Sequence, residues 1–251
     1  MKKVFNIILG TLLAASLFTG CSPAPQNTDR PLTVLASTTF LADIAQNVAG
    51  DRTTVTSLLP VGADPHAYQA TPTDVVKISD STVLIINGLE YEHFIEPLLE
   101  NADGERLVIT ATDGLEPRAG AAEAHETETG TDEHEAGDPH MWLDPNLVIT
   151  YVENIRDGLS QADPAGAEMY KANAEAYISQ LNELDAWIKT QVQSIPTERR
   201  LLVTNHESMG YFAERYGFTL CRTLWLHRGG YDPAELQFGG QRLGTGDRFS
   251  G

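Results

Sequence analysis

Three of the seven histidines stand in turn contexts where an imidazole could be held ready for a metal ion. His66 lies in Gly62-Ala63-Asp64-Pro65-His66-Ala67-Tyr68, and His140 in Asp138-Pro139-His140-Met141-Trp142-Leu143-Asp144-Pro145. His206 lies in Thr204-Asn205-His206-Glu207-Ser208. Neutral imidazole is a good ligand for zinc and for the later first-row divalent ions. A single histidine is more often a hydrogen-bonded surface or core residue than a ligand. What lifts this set above that background is the repeated Asp-Pro-His shape. The proline fixes the backbone before the ring, and the aspartate stands where it could orient the ring from outside. Spacing alone does not make a zinc site, because no short-range pair of ligands is present.

The elements that must position these histidines alternate. Short runs rich in branched residues at 33–36, 54–59, 83–86 and 107–109 read as strands, with helices expected over 40–49, 71–79 and 91–99. The second helix carries a start signal of Thr71, Pro72 and Asp74. This alternation predicts a parallel sheet covered by helices on both faces. In such sheets ligands bind at the strands' C-terminal ends, the edge that His66 and His206 share. Residues 116–138 break the pattern: they are acidic, lack large apolar side chains and hold His125 and His134, candidate weak metal contacts on a surface loop.

A helix over 146–159 and a long one over 164–195 follow. The long helix has Tyr170, Ala174, Tyr177, Ile178, Leu181, Leu184 and Ile188 on one face. A further strand at 200–204 and helix at 207–216, stopped by Gly217, begin a second unit. Tyr211, Phe212 and Tyr216 are assigned to packing, and His93 and His227 to ordinary hydrogen-bonded surface or core roles. From 221 to 251 the chain is rich in Gly and Arg without apolar period, and 237–242 is assigned to neither helix nor strand.

Residues 1–21 read as an export signal, with Lys2 and Lys3 before an apolar run over 4–18. Leu17-Phe18-Thr19-Gly20-Cys21 looks like a lipobox, which makes Cys21 the expected lipidation site; the plainer alternative is an ordinary cleaved signal. Residues 22–31 are a tether. Cys221 is the only other cysteine, so a lipidated Cys21 leaves no internal disulfide. A net charge of −18 argues against nucleic acid as a partner. No glycine-rich nucleotide loop is evident, so any use of ATP belongs to a partner protein.

Three blocks carry a resemblance: Asp64-Pro65-His66-Ala67-Tyr68 with Pro72 and Asp74, His140-Met141-Trp142-Leu143-Asp144-Pro145, and Asn205-His206-Glu207-Ser208-Met209-Gly210-Tyr211-Phe212 with Tyr216-Gly217-Phe218. In order and separation, over about 32–219, they resemble the cluster A-I solute-binding proteins, the ZnuA-, AdcA- and TroA-like components of zinc and manganese transporters. The resemblance implies an α/β, two-lobed, periplasmic-binding-protein-like fold of the helical-backbone type, with parallel sheets. The lobes would be residues 32–162 and 197–220, joined by the long helix within 163–196. It places the metal between the lobes, with His66, His140 and His206 as ligands and an ABC permease as recipient. It also implies a monomer on the extracytoplasmic face of the cell membrane, lipid-anchored, and no enzyme. Histidine at the third position marks zinc-type members and glutamate manganese-type ones, so Zn²⁺ is expected first and Mn²⁺ second.

Family members continue through several more elements and supply a fourth ligand, Asp or Glu, from the second lobe. Residues 221–251 resemble nothing in the family, as a shifted reading frame would produce. The expectation is therefore an incomplete second lobe, a strand at 200–204 without neighbours, and impaired function, with Asp232, Glu235 and Asp247 as undistinguished substitute ligands. The main rival is a metal-dependent hydrolase, since three histidines and an open position also describe catalytic zinc. Against it, Glu207 follows His206 without the second histidine of a His-Glu-x-x-His helix. A surface adhesin finds no support in repeats or in an exposed aromatic patch.

Overall fold

Branched and aliphatic residues in short runs build the first sheet. In the computed structural model, which describes residues 31–65, 67–119, 137–204, 207–222, 237–238 and 241–242, four strands lie parallel. They are β1 (Val34–Ala36), β2 (Val55–Ser57), β3 (Val83–Ile86) and β4 (Leu107–Thr110), in the order β2-β1-β3-β4. The intervening helices are α1 (Thr39–Ala49), α2 (Pro72–Asp80) and α3 (Ile95–Asn101).

Side chains alternate across a strand, so this sheet feeds two cores. Val34, Ala36, Val83, Ile85 and Ile109 face α1 and the later helices, together with Leu41, Val48, Tyr151 and Ile155. Leu35 and Leu84 face the other way, against Leu58, Ile78, Phe94 and Leu98. Two longer helices cover the first face: α4 (Pro145–Ala162) and α5 (Ala167–Gln193) pack along each other and against α1. A bidentate pair from Arg52 to Asp163, at 2.7 and 3.0 Å, ties the end of α1 to the α4–α5 turn, where Tyr170 donates to Asp163 at 2.7 Å.

The expected helix over 91–99 starts late. Turns hold the chain as far as Phe94, with Leu89 and Glu90 both in the left-handed region at φ of 55° and 56°. On α5 the apolar stripe also shifts: Leu184 is 44% exposed while Asp185 is 8% exposed. The expected apolar face is therefore interrupted after Leu181, where a carboxylate takes the next buried turn because polar partners meet it there, and apolar burial resumes at Val192.

The second lobe begins with β5 (Leu201–Thr204), α6 (Gly210–Tyr216) and β6 (Thr219–Arg222). Gly217 closes α6 in the left-handed conformation at φ 72°, which spares it the Cβ clash another residue would meet. Contrary to the expectation of a strand without neighbours, β5 pairs in parallel with β6, Leu201 opposite Thr219 and Thr204 opposite Arg222. β7 (Gln237–Phe238) and β8 (Gln241–Arg242) extend this sheet antiparallel, in the stretch to which no element was assigned. Two-residue strands fall below the length at which an apolar period can be read, and this is why the sequence did not show them.

Residues 1–30, 120–136 and most of 223–251 lie outside the described residues, and with them Cys21, the tether up to Arg30, His125, His134 and His227. Among the described residues no helix is long and apolar enough to cross a membrane.

Candidate metal centre

The strand order places a topological switch between β1, which connects on to β2, and β3 on its other side. A crevice forms outside the carboxyl ends of strands at such a point. Ser37 follows β1 and Asn87 follows β3, and one buried carboxylate joins them. Glu92 accepts from Ser37 Oγ and from the Asn87 amide at 2.6 Å each, and from the Gly88 amide at 3.2 Å. Burial pushes the Glu92 carboxyl above its ordinary range, against the pull of these donors. The loop is tight. Gly88 has φ 89°, and a Cβ there would sit 2.6 Å from Thr110 Cγ2. The left-handed Leu89 and Glu90 cost roughly 1–3 kcal/mol each, and the bonds to Glu92 hold them in place.

From this crevice the chain reaches His140. Asn87 Nδ2 donates to the Pro139 carbonyl at 3.2 Å, and Asn87 Oδ1 accepts from the Tyr151 hydroxyl at 2.6 Å. The turn before the ring is locked by Asp138, whose Oδ1 accepts from the His140 amide at 3.0 Å and from Nδ1 at 2.8 Å. A carboxylate can only accept, so Nδ1 carries the proton and the ligating lone pair falls on Nε2. Asp138 and His140 are both buried. Aromatic rings wall the imidazole: Tyr91 at 6.0 Å and Trp142 at 5.2 Å between centroids, with Trp142 stacked on Phe40 at 4.2 Å. The expectation of an aspartate orienting the ring is met at Asp138. Although it ends the acidic segment, Asp138 belongs to the buried site and not to a surface loop.

His66 and His206 lie outside the described residues, so of the three expected ligands the structure places His140. Among the described residues no three of His, Cys, Asp and Glu group as a metal cluster. Burial raises the Tyr91 hydroxyl's pKa, and the charges of Glu92 and Asp64 add to the effect. On the far side of His66, Tyr68 donates to Asp74 at 2.7 Å and packs edge-on against Phe94. Asp74 also accepts from the Thr71 amide and hydroxyl at 3.0 and 2.8 Å and pairs with Lys77 at 3.0 Å. Burial works against the Asp74 charge, but these donors outweigh it and bring its pKa down to about 2.

The second lobe closes on the first through α6. Tyr211 donates to the Asp138 carbonyl at 2.7 Å and accepts from the Arg118 amide at 2.9 Å. It is packed as expected, yet its hydroxyl also reaches the site. Arg118 pairs with Glu214 at 2.8 Å and lies over the Tyr211 ring. Gly210 meets this arginine so closely that a Cβ would overlap Arg118 Nη1 and stand 3.0 Å from Asp138 Oδ2. Further along α6, Arg215 Nε lies 2.8 Å from Asp185 Oδ1 on α5 and 3.1 Å from Asp144 Oδ1 at the start of α4.

Sequence reasoning missed Ser37, Asn87, Glu92, Asp185 and Arg215. Two signals were there to find: an Asn-Gly pair directly after a strand, and an aspartate four residues beyond Leu181 on an apolar stripe.

A family model described as zinc-uptake complex component A, periplasmic, matches residues 34–235, past the Thr219 limit expected for the resemblance. The manganese-binding lipoprotein MntA of Halalkalibacterium halodurans is 39% identical over 225 residues, covering 87% of this chain and 69% of that protein. The iron-binding protein YfeA of Yersinia pestis is 36% identical over 198 residues, covering 77% and 60%. Among solved structures, the Mn-bound periplasmic metal binding protein of Candidatus Liberibacter asiaticus superposes with a TM-score of 0.67 at 31% identity, covering 80% of this chain and 72% of that one.

Proposed function

The chain belongs to the family of periplasmic zinc-uptake component A, and from that membership we propose that it captures a divalent first-row metal outside the cytoplasmic membrane and passes it to an ABC permease. The metal is cargo, and the chain acts as a carrier, not as an enzyme. One observation carries this reading: a buried histidine whose Nδ1 is held by a buried aspartate, at the mouth of the sheet's switch point. His140 would bind through Nε2, joined by His66 and His206. Cys21 would bear the lipid that keeps the chain, as a monomer, at the membrane, in line with relatives named as lipoproteins.

On the metal, two observations pull apart. The relatives' names give manganese or iron, and one neighbour is named as Mn-bound. Histidine at position 206 favours zinc, since nitrogen-rich sites suit Zn²⁺ while Mn²⁺ prefers oxygen. We place manganese first on MntA and the Mn-bound neighbour, with zinc as the second reading. Calorimetric titration of the chain from Ser22 onward with MnCl₂ and ZnCl₂ tests both. One-to-one binding is expected, and His140→Ala should weaken it by more than the roughly 10–100-fold that loss of an outer partner costs. Unchanged binding in that variant, or metal-dependent ester or peptide hydrolysis by the wild type, would overturn the carrier reading.

A further inference from the structure

A single guanidinium sits where three elements meet. Arg215 projects from α6 of the second lobe and faces Asp185 on the linking helix and Asp144 at the head of α4. Asp144 Oδ1 is also the cap of α4, accepting from the Asn146 amide at 2.9 Å. Asp185 gathers further donors, Tyr216 at 3.1 Å and Lys189 at 2.7 Å. Both carboxylates are buried, and Arg215 stands between them. Lys189 is half exposed and its ion pair is with Asp185, so it bonds one of the two carboxylates that Arg215 bridges.

The chain path gives this junction its meaning. Asp144 is four residues from His140 through the tight turn Met141–Leu143, so a shift at Asp144 is felt at the ring. Arg215 lies on the helix that follows His206 in sequence. The arginine therefore links the segment bearing one proposed ligand to the segment bearing another, through side chains that do not themselves bind metal. Removing it takes away the contacts that hold α6 to α4 and α5, and leaves two buried carboxylates repelling each other across the α4–α5 face on which α6 rests.

We propose that Arg215 is a positioning residue: it clamps the second lobe to the Asp144 end of the His140 segment and thereby sets how long the metal is retained. This rests on the carrier reading above, and its test separates the two. Full-length wild type, Arg215→Met, Arg215→Lys and the neutral triple variant Arg215→Met, Asp144→Asn, Asp185→Asn are compared in three ways. The first is the rate at which EDTA strips Mn²⁺, the second the visible spectrum of bound Co²⁺, and the third amide exchange over 210–216 in the metal-free protein.

Arg215→Met should release metal roughly tenfold faster or more, in the range expected for outer partners. Its cobalt spectrum should change, and 210–216 should exchange faster; Arg215→Lys should recover part of each. If Arg215→Met does not fold, the triple variant, which carries no opposed charges, decides. It should fold and still release metal faster than wild type. Wild-type release rates together with wild-type exchange over 210–216, in a folded variant, would overturn the clamp. A wild type that takes up no metal overturns the carrier reading, while the exchange comparison still decides whether Arg215 holds the lobes.

Discussion

Strands β3 and β5 are alike in composition, Val-Leu-Ile-Ile against Leu-Leu-Val-Thr, and both pair in parallel with a neighbour. Their surroundings differ. Val83, Leu84 and Ile85 are fully buried, whereas Leu201 is 38% and Val203 56% exposed. β3 lies between two strands with helices on both faces, while β5 ends the order of its sheet. Residue type is enough to make a strand, but burial depends on what is laid over it, and the energetic weight of a side chain follows the burial.

The largest test of that contrast is a matched pair of truncations. Leu84→Ala should cost about 2–5 kcal/mol, and Val203→Ala about 0.5 kcal/mol or less, read from urea unfolding midpoints. Equal losses at the two positions would break the comparison and show β5 to be as much core as β3.

The lobes also differ in how charge fixes them, and pH separates the two cases. In the first lobe Asp74 serves its own loop, and its pKa falls from the ordinary 3.8 to about 2. A carboxyl depressed in the folded state adds stability above its unfolded pKa and loses it as pH falls through the folded value. Asp74 should thus contribute about 2 kcal/mol at neutral pH, fading between about pH 4 and 2. Asp74→Asn should lower stability at pH 7, and its gap from wild type should close over that window. A gap that stays constant with pH would mean that Asp74 acts through shape alone.

The smallest effect sharpens the meeting of the lobes. Gly210→Ala puts a methyl group where Arg118 lies. Overpacking costs roughly 1–3 kcal/mol and the helix gain of alanine over glycine returns roughly 0.5–1, for a net loss of about 1 kcal/mol. Faster exchange of the Asp138 amide, which donates to the Arg118 carbonyl at 3.0 Å, would report the displaced arginine. An unchanged rate would show that Arg118 yields without cost.

The first lobe was largely legible in the sequence because its strands are runs of branched residues and its helices are long enough to display a period. The strand expected at 83–86 is found there, and the helices after β1 and β2 begin within one residue of expectation. Thr71, Pro72 and Asp74 announced α2 by local chemistry that needs no tertiary context. The second sheet was not legible, since two-residue strands carry no period and β5 finds β6 only through space. In the site, Asp138-Pro139-His140 could be read because its partners are neighbours in sequence. Glu92 and Arg215 could not, because what makes each a junction is distant: Ser37 lies 55 residues from Glu92, and the carboxylates facing Arg215 lie on two separate helices. The apolar stripe of the linking helix misled at Leu184 for the same reason: Asp185 is buried by what meets it, not by its own nature.

Trp142, stacked on Phe40 and 5.2 Å from the His140 ring, has one further consequence. Its indole lies close enough to sense an ion on that imidazole, whereas Trp187 on α5 is 60% exposed. In a Trp225→Phe background, which leaves these two indoles, they should therefore emit at different wavelengths, Trp142 toward the blue, with iodide quenching the exposed ring first. A paramagnetic ion such as Mn²⁺ on His140 would darken the blue component, while closed-shell Zn²⁺ would leave it bright, so the protein's own light would tell the two metals apart.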